Sequence, residues 1–399
     1  MTKEFAELKN RICSQVLNRM DFSDELSEKE VLKEIDEAIT SLPERGNLSI
    51  DEILAMRKEV YNSIKKYDVI QEYLDDESVT EIMINGTEAI FVERGGKIIK
   101  TDKAFSSKEK LEDVIQQMVG ACNRTVNEAF PIADARLGTG ERINVVLAPV
   151  ALNGPIVTIR RFPKKPITMD KLIEFGTLTE EAAVFLQKLV RAKYNIFISG
   201  GTGTGKTTFL NAVSMYIPAD ERIITIEDSA ELRIIGARNL VRLETRNKNT
   251  EGCVPIEIRD LIRSALRMRP DRVIVGEVRG AEAVDMLQAM NTGHDGSLST
   301  GHANSSLDMI ARLETMVLSG MDIPLYAIRG QIAGGIDIMV HLTRLRDKRR
   351  VVSEISEVEG LSNGEVTLNC LYRYEGGELK AVGSLKDTRK LKDLEENGL

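Results

Sequence analysis

The sequence predicts an α/β protein: a domain of alternating strands and helices, preceded by a smaller α+β domain and a helical N-terminal extension. Three observations carry that expectation. From about 170 to 345, short apolar runs alternate with amphipathic stretches. One of those runs leads into a glycine-rich loop, Gly200-Gly201-Thr202-Gly203-Thr204-Gly205-Lys206-Thr207, which opens a helical pattern. From about 68 to 162 the runs are shorter and are divided by Asn85-Gly86 and Gly95-Gly96, which are hairpin turn signals.

The expected organisation is an extension over 1–65, an α+β domain over 66–165, the alternating domain over 166–345, and strands with a charged tail over 346–399. In the extension, Phe5, Leu8, Ile12, Val16 and Met20 recur every three or four positions, as do Val31, Ile35, Ile39 and Leu42. These stripes predict two amphipathic helices that pack on the body or on a partner. Ser49 and Glu52 have capping-box spacing before a third helix around Ile53, Val60 and Ile64. In the α+β domain, strands are expected at 80–85, 89–94, 97–101, 142–150 and 156–162, with a helix at 108–122. Phe162-Pro-Lys-Lys-Pro166 reads as the exit linker. In the alternating domain, strands are expected at 194–199, 222–227, 271–277, 296–300 and 336–342, with helices such as 257–268 and 281–291.

Composition narrows the function classes. The 399 residues are 42% hydrophobic, enough for two or three domains with sizeable cores. The net charge of −8 excludes a general nucleic-acid coat, and no direct nucleic-acid contact is expected. Cysteines at 13, 122, 253 and 370 form no CxxC pair, so neither a zinc ribbon nor a disulfide staple is indicated. They read as free thiols in a reducing compartment. The longest clearly apolar stretch, 145–152, contains Pro149 and is far short of the roughly 20 residues that a spanning helix needs. A cytoplasmic protein is expected, with membrane contact only peripheral and through other proteins.

The loop at 200–207 fits GxxxxGK[ST] in its required strand–loop–helix context. Glycines let consecutive backbone N–H groups converge on phosphate, and the helix N-terminus adds positive potential. Lys206 is expected at the β- and γ-phosphates of a nucleotide and Thr207 at Mg²⁺. The apolar strand ending in Gly276-Glu277 delivers a carboxylate. Glu277 either serves the metal, orients a water, or simply marks a strand end. Glu227 and Asp228 end a further strand, either as catalytic base and water positioner or as solvated acids. His294 and His302 lie in Gly293-His-Asp-Gly-Ser-Leu-Ser-Thr-Gly-His302 and read either as phosphate sensors or as structural groups. His341 reads as structural. Arginines at 136, 142, 160, 161, 263, 267 and 269 are phosphate clamps or ion pairs, and the sequence does not sort them.

Together, GGTGTGKTT (200–208), IEDSAEL (226–232), RMRPDRVIVGEVRGAEA (267–283) and GHDGSLSTGHANS (293–305) resemble the ATPases of type II and type IV secretion and of type IV pili. VTEIMING (79–86), DARLGTGERINVV (134–146), TIRRF (158–162) and LVRLETR (240–246) resemble the tight-adherence (Flp) pilus branch, the CpaF-like ATPases. The resemblance spans about 65–375. It implies a homohexameric ring whose subunits pair a PAS-like N-terminal domain with a RecA-like ATPase domain and bind ATP between them. By motif, Gly200 to Thr208 would hold the nucleotide and Glu227 would orient the attacking water. Glu277 would act with Mg²⁺, and His294 and His302 would sense the phosphate. Arg142 and Arg160 would reach the nucleotide from the N-terminal domain. The four-cysteine zinc site usual in type II export motors is missing. Gly301 stands where the family commonly has Leu or Ile. The implied function is a motor for pilus assembly or secretion that works with inner-membrane platform proteins. A conjugation-type secretion ATPase and a non-hydrolysing nucleotide-gated ring are the alternatives.

Overall fold

The computed structural model describes residues 3–20, 27–161, 166–246 and 254–396. Most of the expected linker (162–165) and Cys253 lie outside them. The chain divides into two units, Met1–Lys164 and Lys165–Leu399.

In the first unit, helices α1 (Lys3–Arg19), α2 (Glu28–Thr40) and α3 (Ile50–Lys65) turn their apolar stripes inward. Ile12, Val16, Val31, Ile35, Met56 and Val60 form their shared core. Ser27 with Glu30, and Ser49 with Glu52, close capping boxes at the starts of α2 and α3. A short helix, α4 (Gln71–Asp75), leads into a sheet. Its strands are β1 (Val79–Asn85), β2 (Ile90–Arg94), β3 (Lys97–Lys100), β4 (Ile132–Arg136), β5 (Arg142–Val146) and β6 (Ile156–Arg160). Their order is β3-β2-β1-β6-β5-β4, with every neighbour antiparallel. Helix α5 (Lys108–Gly120) packs Leu111, Val114, Ile115 and Met118 into this sheet's core. Strand β4 was not expected, because its two buried residues are alanines and give almost no hydrophobic alternation. Lys9 on α1 reaches buried Asp68 at 3.0 Å, so the helical segment is tied to the α+β part within this unit.

The second unit opens with α6 (Met169–Glu174) and α7 (Glu180–Arg191). Then come β7 (Ile196–Gly200), α8 (Lys206–Ser214), β8 (Arg222–Glu227), β9 (Asn239–Glu244), α9 (Ile258–Ala265), β10 (Arg272–Val278) and α10 (Ala283–Asn291). They are followed by β11 (Leu298–Gly301), α11 (Ser306–Gly320), α12 (Leu325–Gly335) and β12 (Ile338–Arg344). The last elements are β13 (Arg350–Ser362), β14 (Glu365–Glu375), β15 (Glu378–Ala381) and α13 (Arg389–Glu396).

One nine-stranded sheet runs β15-β14-β13-β12-β7-β11-β10-β8-β9. From β12 to β9 all pairs are parallel, and β13 to β15 add on antiparallel. A division at 345/346 therefore falls inside a hairpin of one sheet. Both faces are covered, which is why the central strands are apolar throughout. Ile196 and Ile198 pack toward α7 and α8, while Phe197 packs toward α10, α11 and α12. Strand β9 was not expected as a strand. It sits at the sheet edge with only partial burial, so its sequence lacks a strong apolar run.

Where the parallel strands begin, the polar groups are locked in pairs. Fully buried Arg272 donates to Glu221 through Nε (2.5 Å) and Nη2 (3.2 Å), and its Nη1 donates to the Gly296 carbonyl (3.3 Å). A Cβ at Gly296 would lie 2.4 Å from that Nη1, so only glycine fits there. Asn195 donates to the carbonyls of Gly335 (2.8 Å) and Met290 (3.3 Å) and accepts from the Ser297 N–H (3.0 Å). Lys390 bridges Asp295 (2.9 Å) and Asp337 (2.8 Å).

Candidate nucleotide site

The opposite rim, where the parallel strands end, carries the chemistry. Strand β7 lies in the middle of the sheet between β11 and β12, and the glycine-rich loop leaves from its end. At Gly200 a Cβ would sit 2.6 Å from the Leu342 carbonyl oxygen and 2.7 Å from Thr204 Oγ1, so the chain can turn there only without a side chain. Gly205, at φ 93°, is the left-handed N-cap of α8. The loop therefore presents backbone N–H groups at a helix start, the arrangement that binds phosphate.

Lys206 does not point into solvent. Its Nζ donates to the carbonyls of Gly200 (3.0 Å) and Gly201 (3.2 Å) and lies 3.2 Å from His302 Nε2. Burial pushes this ammonium below its ordinary value, against the pull of Glu277. Thr202 Oγ1 also reaches His302 Nε2, at 3.2 Å. The other ring nitrogen of His302 contacts Glu277 Oε1. Glu277 Oε2 accepts from Arg279 Nη2 (2.6 Å) and Nε (3.0 Å). Burial raises the Glu277 carboxyl, but the Arg279 hydrogen bonds and charge, with His302, outweigh it and hold the group below its ordinary value. Loop, lysine, histidine, acid and arginine thus form one continuous polar chain. Thr207 is half-buried on the first turn of α8.

Glu227 ends the neighbouring strand and is 4% exposed. Its Oε1 accepts from the N–H groups of Glu231 and Leu232, both at 2.8 Å. Its Oε2 is buried and makes no protein hydrogen bond. Burial pushes its pKa up to about 7. Its side chain also explains Gly276: a Cβ there would lie 2.9 Å from Glu227 Cγ. No acid fits at 276 while Glu227 occupies that space. Gly301 has a similar cause, since a Cβ there would meet Met309 Sδ at 2.8 Å and Phe197 Cε1 at 3.0 Å.

The two histidines separate. Strand β11 runs parallel to β7, with Leu298 beside Ile196 and Gly301 beside Ser199. His302 follows the end of β11 and meets the loop. His294 precedes its start, where its carbonyl accepts from Ser297 Oγ (2.7 Å) on the locked rim. Both histidines are expected at one phosphate; within the chain they stand at opposite rims, and only His302 meets the loop. His341 is buried on β12 and hydrogen-bonds Ser199 Oγ at 2.8 Å, a packing role. Among the arginines, Arg263 pairs with Asp285 (2.9 Å), and Arg161 donates to the Tyr73 and Val79 carbonyls (3.2 and 2.9 Å). Arg142 and Arg160 face each other in register on β5 and β6 of the first unit.

Two site residues were missed in the sequence. Arg279, two positions after Glu277, grips that acid and also approaches Asp228 at 3.5 Å. Arg350, on β13, donates to the Gly203 carbonyl at 2.9 Å. The run of cations between Arg344 and Arg350 was the available signal.

A parallel sheet with a glycine-rich phosphate loop on a central strand, and carboxylates on the neighbouring strand ends, defines a RecA-like P-loop domain. The type II/IV secretion system protein family model matches residues 63–378, and the chain belongs to that family of secretion ATPases. A putative conjugal transfer protein of Mycobacterium tuberculosis is 34% identical over 345 residues, covering 84% of this chain and 96% of that protein. The type IV secretion system protein VirB11 of Bartonella henselae is 30% identical over 327 residues, covering 72% and 91%. The X-ray structure of the Legionella pneumophila ATPase DotB shares the fold, with TM-score 0.52 and 21% identity over 72% of this chain and 79% of that one. No described helix is long and apolar enough to cross a membrane.

Proposed function

We propose that the chain is a homohexameric motor that hydrolyses ATP with Mg²⁺ to drive assembly of a Flp/type IV-like pilus or a related secretion system. It would act at the cytoplasmic face of the inner membrane through platform proteins. The observation that carries the hydrolytic reading is the polar chain at one sheet rim, Lys206–His302–Glu277–Arg279, beside a glutamate with an unpaired oxygen. A phosphate oxygen can replace the loop carbonyls as the partner of Lys206, and the loop glycines leave the space it needs. The hydroxyl of Thr207 and the carboxylate of Glu277 are hard oxygen donors suited to Mg²⁺, which when bound neutralises charge on the β- and γ-phosphates. Phosphate oxygens and waters complete such a shell, so the lack of a three-residue metal cluster among the described residues is no obstacle.

Glu227 takes a proton from the attacking water near neutral pH, where its pKa lies. The new oxygen–phosphorus bond forms as the bond to ADP breaks, and His302 shifts its hydrogen bonds when the phosphate departs. The role of Arg142 and Arg160 at the nucleotide rests on the family resemblance alone, and Arg160→Ala at saturating ATP tests it.

Lys206→Ala should lower ATP turnover at least about 100-fold, because a contact to transition-state charge is lost. Glu277→Gln should keep equilibrium ATP binding while losing turnover. Turnover in Lys206→Ala within two-fold of the parent chain would leave the non-hydrolysing ring as the better reading.

The segments at 79–86, 134–146, 158–162 and 240–246 support the pilus branch. The likeness to a putative conjugal transfer protein favours a second reading, a conjugation-type secretion motor. Disrupting the gene separates the two, since the first loses surface pili and the second loses conjugal transfer.

A further inference from the structure

Three parallel strands end side by side at the rim that carries the phosphate loop, in the order β12-β7-β11. His341, Ser199 and Gly301 stand level across them, His341 beside Ser199 and Ser199 beside Gly301. The strand around His341 is otherwise apolar, with Met339, Val340 and Leu342 all buried. An imidazole there, 6% exposed, sets a polar group where an aliphatic side chain would pack at less cost. Its Nδ1 lies 2.8 Å from Ser199 Oγ, and the Asn304 backbone hydrogen-bonds the same ring. Burial holds the ring below its ordinary value and Lys206 on α8 adds to that, while Glu354 on β13 and Asp308 on α11 oppose it. A neutral imidazole offers one donor and one acceptor, which suits a hydroxyl on one side and backbone on the other.

Those two partners belong to the two segments that build the site. Ser199 immediately precedes Gly200, whose carbonyl accepts from Lys206 Nζ at 3.0 Å. Asn304 lies two residues beyond His302, whose Nε2 is 3.2 Å from the same ammonium. The contacts therefore close a ring. It runs from His341 to Ser199, along the chain to Gly200, across to Lys206, across to His302, and along the chain through Asn304 back to His341. Lys206 and His302 stand on its phosphate-binding side and His341 on its buried side. The segment beyond Asn304 is fixed as well, because Ser305 caps α11 and its Oγ accepts from the Asp308 N–H at 3.0 Å.

We propose that His341 is a positioning residue for the hydrolytic site: it ties the base of the phosphate loop to the His302 segment and so holds Lys206 and His302 together at the terminal phosphate. It acts through Ser199 and Asn304 rather than by contact with the nucleotide. This rests on the reading of that rim as the ATP-hydrolysing site. Packing and positioning rank substitutes in opposite orders. Packing favours leucine, which is close to histidine in volume and suits an apolar strand, over the smaller and polar asparagine. Positioning favours asparagine, whose amide places a polar atom where Nδ1 stood and keeps a partner for Ser199.

The test compares His341→Leu, His341→Asn and Ser199→Ala in the full chain, by steady-state ATP turnover with Mg²⁺ and by thermal unfolding. His341→Leu should lower kcat about ten-fold, the worth of a buried hydrogen bond, and leave KM within about two-fold. His341→Asn should unfold at a lower temperature than His341→Leu yet keep kcat within about three-fold of the parent chain. Added to His302→Ala, His341→Leu should cost no more than about two-fold further, since both act on one contact. A leucine variant with kcat within about two-fold of the parent, an asparagine variant slower than the leucine one, or losses that multiply with His302→Ala each overturn the proposal. Ser199→Ala removes the hydroxyl with little change of volume and should reproduce the kcat loss even where the His341 variants do not fold. Unchanged turnover in Ser199→Ala overturns the proposal as well. A parent chain without turnover overturns the ATPase reading instead, and the positioning is then read from ring resonances of the chain's three histidines without nucleotide. His341→Leu, or Ser199→Ala in its place, should move the signals of His302 and leave those of His294, at the other rim, where they were. An unmoved His302 overturns the positioning role whatever the turnover.

Discussion

The two rims of the nine-stranded sheet are built from similar residue types and end in opposite states. Where the strands begin, Arg272 is held by Glu221, Asp337 by Lys390, and Asn195 by three backbone groups. His294 Nδ1 is the loose end there, buried without a protein hydrogen bond. Where they finish, Lys206 is folded onto its own loop, His302 bridges it to Glu277, and Glu227 keeps an oxygen unpaired inside the protein. A closed pair stabilises and cannot exchange partners cheaply. An open or self-satisfied group can be recruited by a ligand. The same sheet therefore assigns rigidity to one end and chemistry to the other.

The sharpest break in this comparison is Arg272→Ala. It leaves the largely buried Glu221 carboxylate with only the longer contact to Lys193, at 3.8 Å, and should cost about 3 kcal/mol in urea unfolding. Nucleotide affinity of the folded fraction should not change, because the site lies at the other rim. A stable variant with weakened ATP binding would undo the distinction.

Glu227→Gln tests the open rim through pH. The folded-state pKa of about 7 lies above the ordinary 4.5, so the folded chain binds this proton more tightly than the unfolded one. Its contribution is fully present at acidic pH and is lost as pH rises from about 4.5 to 7, up to about 3 kcal/mol in all. The glutamine variant lacks that slope. Stability curves of the two chains that stay parallel from pH 5 to 8 would show that the carboxyl is not strained. The smallest effect sharpens the comparison within a single motif. His302→Ala should lower turnover about ten-fold, the worth of a charge-assisted hydrogen bond, while His294→Ala stays within about two-fold. Equal losses would mean that the far rim also takes part.

The fold was legible wherever a strand is buried on both faces. The segments around Ile196, Ile224 and Ile274 announce themselves as apolar runs. Strand β4, which buries only Ala133 and Ala135, does not, nor does the half-exposed edge strand β9. The loop and both glutamates were legible because their motifs are local. The separation of His294 from His302 was also signalled in the sequence. The expected strand 296–300 lies between the two histidines, and at roughly 3.3 Å per residue a strand carries them to opposite rims. The grips of Arg279 on Glu277 and Arg350 on Gly203 depend on side-chain direction and on a hairpin nearly 150 residues away, so the run of cations up to Arg350 signals charge without naming its target.

The contact between Glu227 and Gly276 also bears on how such a chain can change over generations. The two positions are 49 residues apart, yet they share one space. A variant that gains aspartate at 276 first must lose bulk at 227, and a variant that loses the glutamate first gives up its candidate base. Either order passes through an impaired intermediate. The pair is thus an epistatic lock, and drift at one site is confined by the occupant of the other.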